Sequence, residues 1–147
     1  MAEYRQPQSH MEVEGLLCKK FYEKYGDKAL PVIRDVFQQW GEVQGKKMKK
    51  KLGDMDFKTA VLTYVDPATK REPKAEIIEA KDDRVEIKVY ACPYILDGHG
   101  RDLCEAMMAM DSEIIRAIVP GRIELELRST LAAGDPCCHA VFARLNP

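Results

Sequence analysis

The hydrophobic period changes near residue 74, and that change limits the chain to few architectures. Before it, apolar residues recur at helical spacing. Val13, Leu16, Leu17, Phe21 and Tyr25 follow Ser9, which stands as an N-cap with Glu12 in a capping box. Gly26 closes this helix and Asp27 opens the next, with Pro31 in its first turn. Leu30, Ile33, Val36, Phe37 and Trp40 share a broad face of the second helix. The pattern continues through Gly41 and Gly45, and Gly45 marks a site of close helix approach. The lysine-rich run at 46–51 reads as a solvated helix end placed favourably against the dipole. A third helix spans 56–64 and ends at Asp66-Pro67.

After residue 74 the period is two. Residues 74–80 and 84–92 read as strands joined by the turn at 81–83. In the second strand Val85, Ile87, Val89 and Ala91 face one way, and Arg84, Glu86, Lys88, Tyr90 and Cys92 the other. A loop at 93–100 carries Gly98-His99-Gly100. A helix follows over 101–119, stopped by Pro120-Gly121. Strands at 122–131 and 137–145 flank the turn Ala133-Gly134-Asp135-Pro136. The order ααα-ββ-α-ββ, with short turns inside each strand pair, predicts an α+β fold. Its sheet is mainly antiparallel and four-stranded, with helices packed on one face. Residues 1–8 are polar and aperiodic, a disordered N-terminal end, and 9–147 form a single α+β domain. One domain fits a length of 147 residues.

Composition excludes several classes. A net charge of −1 gives no general attraction to nucleic acid. No apolar run approaches the roughly 20 residues of a membrane span, and no apolar core marks a secretory leader near the start. Five cysteines, an odd count without such a leader, argue against a disulfide framework and for a cytoplasmic, reduced protein. The thiols are then free for metal binding, catalysis or packing.

Three of them are brought towards one sheet edge by this topology. Cys92 ends the second strand, Cys104 lies in the first turns of the next helix, and Cys138 begins the fourth strand. Asp111 falls two helical turns after Cys104, in a stripe with Met108, Ile115 and Ile118. An acid there is costly unless paired. Its candidate partners are Arg128, a backbone amide or a metal; otherwise it stands at the stripe's edge. Asp135, in Gly134-Asp135-Pro136, reads as a turn residue, with Gly134 supplying a positive φ and Asp135 bonding the next amides. His99, between glycines, stands on a loop able to shape itself around a ligand. Cys137 and His139 share a strand face, and Cys138 points to the other. None of these spacings matches a zinc signature. As a nucleophile, Cys104 has a helix N-terminus and Arg101 nearby, and Cys92 precedes Pro93 beside the glycine-rich loop. Cys18 reads as packing.

Several runs resemble the L-2-amino-thiazoline-4-carboxylic acid hydrolase family. They are Phe21-Tyr22-Glu23-Lys24-Tyr25-Gly26-Asp27-Lys28-Ala29, then Trp40-Gly41 and Gly45, then Cys92-Pro93 followed by Cys104 and Asp111. Thr130-Leu131, Gly134-Asp135 and Cys138 complete the pattern. The resemblance implies a small bacterial hydrolase that opens a thiazoline ring at a non-peptide C–N bond. It implies that Cys92, Cys104 and Cys138 are nucleophile candidates or ligands of one zinc or iron ion. Asp111 and Asp135 become candidates for acid or base, and His99, on its glycine-flanked loop rather than a motif, is a candidate for substrate binding. Arg128, on its chemistry rather than a motif, could hold a substrate carboxylate.

The element order is also similar, more distantly, to 4-vinyl reductase domains and TRAPP-type subunits, which implies a ligand pocket between helices and sheet. Two other readings stand beside the enzyme. A ligand-binding or sensory domain predicts a deep apolar pocket near Met107, Met108 and Met110. A structural module predicts a flat apolar face. The expected partner is a small molecule, with a homodimer as one way to cover an exposed first- or fourth-strand edge.

Overall fold

The computed structural model describes residues 4–145. Helix α1 spans His10–Tyr25, α2 Ala29–Leu52 and α3 Phe57–Lys70. Strands β1 (Glu76–Lys81) and β2 (Arg84–Val89) follow, then α4 (Arg101–Ile118), β3 (Arg122–Ser129) and β4 (Cys138–Leu145). The four strands form one antiparallel sheet in the order β1-β2-β4-β3. The α+β reading and the element order hold. The expected end at 1–8 falls partly on residues 1–3, which lie outside the described residues.

Local chemistry sets the helix ends. Ser9 accepts from the Glu12 amide at 3.1 Å, as the capping box requires. Gly26 ends α1 at φ 64°, a conformation that favours glycine. Asp56 caps α3 through the Thr59 amide at 2.7 Å. Helix α3 does not stop at Asp66-Pro67 but runs to Lys70 with Pro67 inside it. Proline removes one N–H there. The Thr69 hydroxyl donating to the Asp66 carbonyl at 2.7 Å and the Lys70–Asp66 ion pair at 2.9 Å hold the last turn.

One sheet face carries Val85, Ile87, Ile123, Leu127, Ala140 and Phe142, all buried against the helices. The register Val89↔Cys138, Ile87↔Ala140, Val85↔Phe142 puts Cys138 on that same face. The other face is held by charge. Glu86 pairs with Arg84, accepts from Arg128 at 3.5 Å, and lies 3.0 Å from His139 Nε2. The Arg84 and His139 contacts hold its carboxyl down at about 2. At the outer rim of the sheet, Arg116 donates to the Ile123 carbonyl at 2.7 Å, and Arg101 donates to that of Leu127.

Helix α2 lies along α4. A Cβ on Gly41 would stand 2.5 Å from the Met110 carbonyl, and one on Gly45 2.6 Å from both the Ile114 carbonyl and the Ala117 Cβ. The close approach expected at Gly45 is therefore present, and Gly41 shares it.

Helix α1 differs from its expected face. Val13 (49%), Leu17 (68%) and Tyr25 (52%) are exposed, while Gly15 and Lys19 are buried. Val36 and Trp40 of α2 are exposed as well. The inward side of α1 is small and polar because a loop from the other half of the chain presses against it.

Candidate functional site

That loop follows β2. The strand ends at Val89, three residues short of Cys92, so Cys92 stands in a turn closed by the Ile95 amide on its carbonyl at 3.0 Å. Ile95 sits at φ 54°, where a β-branched residue is an outlier. Helix α1 holds it there. Gly15 leaves no room for any Cβ against the Tyr94 carbonyl, and Lys19 Nζ donates to the Ile95 carbonyl at 2.6 Å. Lys19 is only 7% exposed. Burial pushes its ammonium below the usual lysine range, against the opposing pull of Cys92 and Asp97. Burial pushes the Cys92 thiol up, and the amides of Leu96 and Tyr94 offset part of that.

Behind this loop lie the other two matched thiols. Cys104, 5% exposed in the first turns of α4, accepts from the Thr130 hydroxyl at 3.2 Å. Burial pushes its thiol up to about 11, with Thr130 acting the other way and Cys138, Cys92 and Asp111 adding to the rise. Cys138 accepts from the Leu131 amide at 3.3 Å and lies 3.8 Å from the Thr130 hydroxyl. Thr130, fully buried, thus stands between two thiols. Residues 130 and 131 leave the expected strand to make this contact, because a 3-10 turn begins at Leu131. Asp135 holds that turn: its carboxylate accepts from the Thr130 amide at 3.0 Å, and its own amide donates to the Thr130 carbonyl at 3.2 Å. Gly134 has the expected positive φ, at 90°. Asp135 bonds an amide five residues back rather than the next ones.

Asp111 is enclosed and accepts from the Tyr64 hydroxyl of α3. Burial raises its carboxyl to about 6, with Tyr64 partly offsetting the rise. Burial, and then the charge of Asp111, push Tyr64 and Tyr94 upward. Cys92, Cys138 and Asp111 all lie within the field of Cys104, so the thiols and the acid are gathered in one region.

Arg128 is not with them. It lies on the outer sheet face beside Glu86 and Glu126, the latter at 3.7 Å, because alternation turns it away from Leu127. It therefore neither partners Asp111 nor can reach a substrate at the thiols. His99 stands at the loop's outer side, its ring stacked on Tyr4 at 5.4 Å. Burial and the Lys19 charge push its imidazole down. His139 and Cys137 do not combine, since His139 is committed to Glu86 and Cys137 lies 3.9 Å from the Ser129 hydroxyl.

Among the described residues no group of three or more His, Cys, Asp or Glu side chains is placed to hold a metal ion. Two thiols turn to Thr130 and the Leu131 amide instead. This donor set does not fit the zinc or iron expected from sequence.

Sequence reading missed Lys19, Tyr64 and Thr130 as parts of the site. Lys19 follows Gly15 by one helical turn, a small-polar stripe that the apolar pattern of α1 conceals. Nothing in the sequence pairs Tyr64 with Asp111, 47 positions away.

Three cavities open nearby. A cleft of about 210 Å³ lies between α1, residues 4–7 and the 95–99 loop. An apolar groove of about 350 Å³ between α1 and α2 is lined by Leu17, Cys18, Val36, Phe37 and Trp40. Burial pushes the Cys18 thiol there up to about 11. A polar groove of about 410 Å³ carries Arg34, Arg116, Glu105 and Glu124, with Met108 among them. Met107 is core, 1% exposed, while Met108 reaches the polar groove.

The fold is similar to the phenol-responsive sensory domain of the transcription activator PoxR (TM-score 0.63, 13% identity, covering 97% of this chain and 78% of that one). It is also similar to a trafficking protein particle complex subunit 3 from Naegleria fowleri, a structure covalently bound to palmitic acid (TM-score 0.54, 12% identity, covering 92% and 95%). Among curated proteins no sequence matches. Residues 8–142, nearly the whole chain and all of the thiol and Asp111 region, match the L-2-amino-thiazoline-4-carboxylic acid hydrolase family. By that match the chain belongs to the L-2-amino-thiazoline-4-carboxylic acid hydrolase family.

Proposed function

We propose that the chain hydrolyses a non-peptide C–N bond in a small cyclic zwitterion of the thiazoline-carboxylate type, with Cys92 as nucleophile. The observation that carries this reading is the strained loop at 92–96. It sets a half-buried thiol against the amides of Tyr94 and Leu96, on a loop whose Ile95 carbonyl is held by the buried Lys19 ammonium, with two further thiols and an acid in the same region. Cys104, held near 11 and enclosed, is a poor nucleophile. Asp135 spends its carboxylate on the 3-10 turn and is a positioning residue.

The chemistry balances without a resident cofactor. The Cys92 thiolate adds to the amidine-like carbon, and the electron pair of the breaking C–N bond goes to the ring nitrogen, which takes a proton. Water then replaces Cys92 on that carbon and the thiolate is restored. Asp111, titrating at about 6 beside Tyr64, is the proton store of the region. The cationic amidine itself favours the thiolate once bound, which offsets the burial that raises Cys92.

The test is turnover of L-2-amino-thiazoline-4-carboxylate, followed by release of the free amine that C–N cleavage produces. Cys92→Ser is expected to lower kcat by about 1000-fold or more. A wild-type protein without turnover, or a Cys92→Ser variant with full activity, would sink the proposal.

A second reading, a ligand-binding domain, is favoured by the enclosure of Cys104 and by the fold shared with a sensory domain. It predicts binding of a small molecule without turnover, and the same assay separates the two.

A further inference from the structure

The cleft of about 210 Å³ borders the nucleophile's loop, which contributes Ile95, Asp97 and His99 to its lining. Its lining is charge-balanced. Arg5 and Lys19 supply two cations, Glu12 and Asp97 two anions, and the Tyr4–His99 stack forms a flat aromatic wall. Arg5 pairs with Glu12 at the rim. Lys19 is the buried member, and its Nζ uses one donor on the Ile95 carbonyl, which leaves ammonium hydrogens for another acceptor. The volume is below that of pockets for drug-sized ligands, so only a small molecule fits. Lys19 also lies in the field of Cys92.

We propose that this cleft is the binding site for the substrate's two charges: Lys19 takes the carboxylate of a small zwitterion, and Asp97 faces its cationic end. The inference rests on the hydrolase reading for the identity of the zwitterion, and on the geometry of the cleft for its place. Asymmetry in depth orients the ligand. The buried cation draws the carboxylate inward, and the exposed Asp97 holds the cationic ring at the mouth beside the Cys92 loop. Lys19 thereby also carries specificity, since a buried ammonium left without an acceptor disfavours ligands that lack the carboxylate.

Calorimetry tests this without turnover, using Cys92→Ser protein and L-2-amino-thiazoline-4-carboxylate as the probe. Adding Lys19→Met is expected to weaken Kd by about 30-fold, the usual scale for losing a charge-assisted bond. 2-Amino-thiazoline, which lacks the carboxylate, should lose no affinity on Lys19→Met and should gain where the ammonium had disfavoured it. Because Lys19 is buried, Asp97→Asn on an exposed position gives an independent arm. It should weaken the zwitterion by about threefold and leave a carboxylate lacking the cationic group without loss of affinity. Equal Kd for the zwitterion with and without Lys19→Met, in folded protein, would overturn the cleft as the site. So would an Asp97→Asn variant with unchanged affinity. Turnover by the wild type alongside either result would leave the hydrolase reading standing and refute only the cleft. Binding that depends on Lys19 in a wild type without turnover would do the reverse.

Discussion

Asp111→Asn is expected to make the protein more stable at pH 8 while making it a poorer catalyst. The carboxyl is enclosed, and burial raises it from the usual carboxylate range to about 6. An acid raised in the folded state binds more protons there than in the unfolded chain between about pH 4 and 6. The stabilisation from protonated Asp111 is therefore full below about pH 4 and is lost as pH rises through 6. At pH 8 the ionised group costs the native state about 3 kcal/mol. Asparagine keeps the size and still accepts from the Tyr64 hydroxyl, without the charge. Thermal melts should show Tm higher by about 5–10 °C at pH 8, with no difference near pH 4. Glu86 acts in another window, because its depressed carboxyl loses its contribution only as pH falls towards 2. A variant melting below the wild type at pH 8 would show that the Tyr64 bond, not desolvation, dominates. The accompanying fall in turnover, about 100-fold, would mark Asp111 as a group retained at the expense of stability.

Gly41→Ala/Gly45→Ala is expected to cost about 4 kcal/mol, although alanine favours helices. Each new Cβ would stand within 2.6 Å of a main-chain carbonyl of α4. A carbonyl inside a helix cannot swing aside, so α2 must move off α4 as a body. That opens the contact against which Ile114 and Ile118 are buried. Urea denaturation should show the midpoint falling, with an exposed change on the same helix, Glu42→Ala, staying within about 0.5 kcal/mol. A loss below 1 kcal/mol would mean that the two helices have slack between them.

Much of this fold was legible because period and punctuation agreed. Ser9, Gly26, Asp56 and Gly134 each do locally what their chemistry predicts. Pro67 misled because one missing N–H near a helix end is affordable when Thr69 and Lys70 hold the turn. The face of α1 misled for a different reason. Apolar spacing registers what can be buried, but Gly15 and Lys19 face inward because a distant loop presents carbonyls to them. The gathering of Cys92, Cys104, Cys138 and Asp111 could be anticipated from element order. The partners that set their chemistry, Tyr64 and Thr130 as well as Lys19, depend on the packing of segments far apart in sequence. Arg128 shows the converse. Its outward position was readable from alternation, and its charge alone made it a candidate for a site on the opposite face.

The arginines of α4 that donate to β3 carbonyls bear on how this molecule could polymerise. A bare edge strand is a template onto which another chain can add, and sheets grow into fibres by that route. At β3 two of those acceptors are already occupied by guanidinium groups anchored on the protein's own helix. An incoming strand would have to displace these guanidinium groups to bond at Ile123 and Leu127. The β3 border is thus partly insulated, whereas at β1, the other edge, Glu79 and Lys81 set the charge that a matching edge must answer.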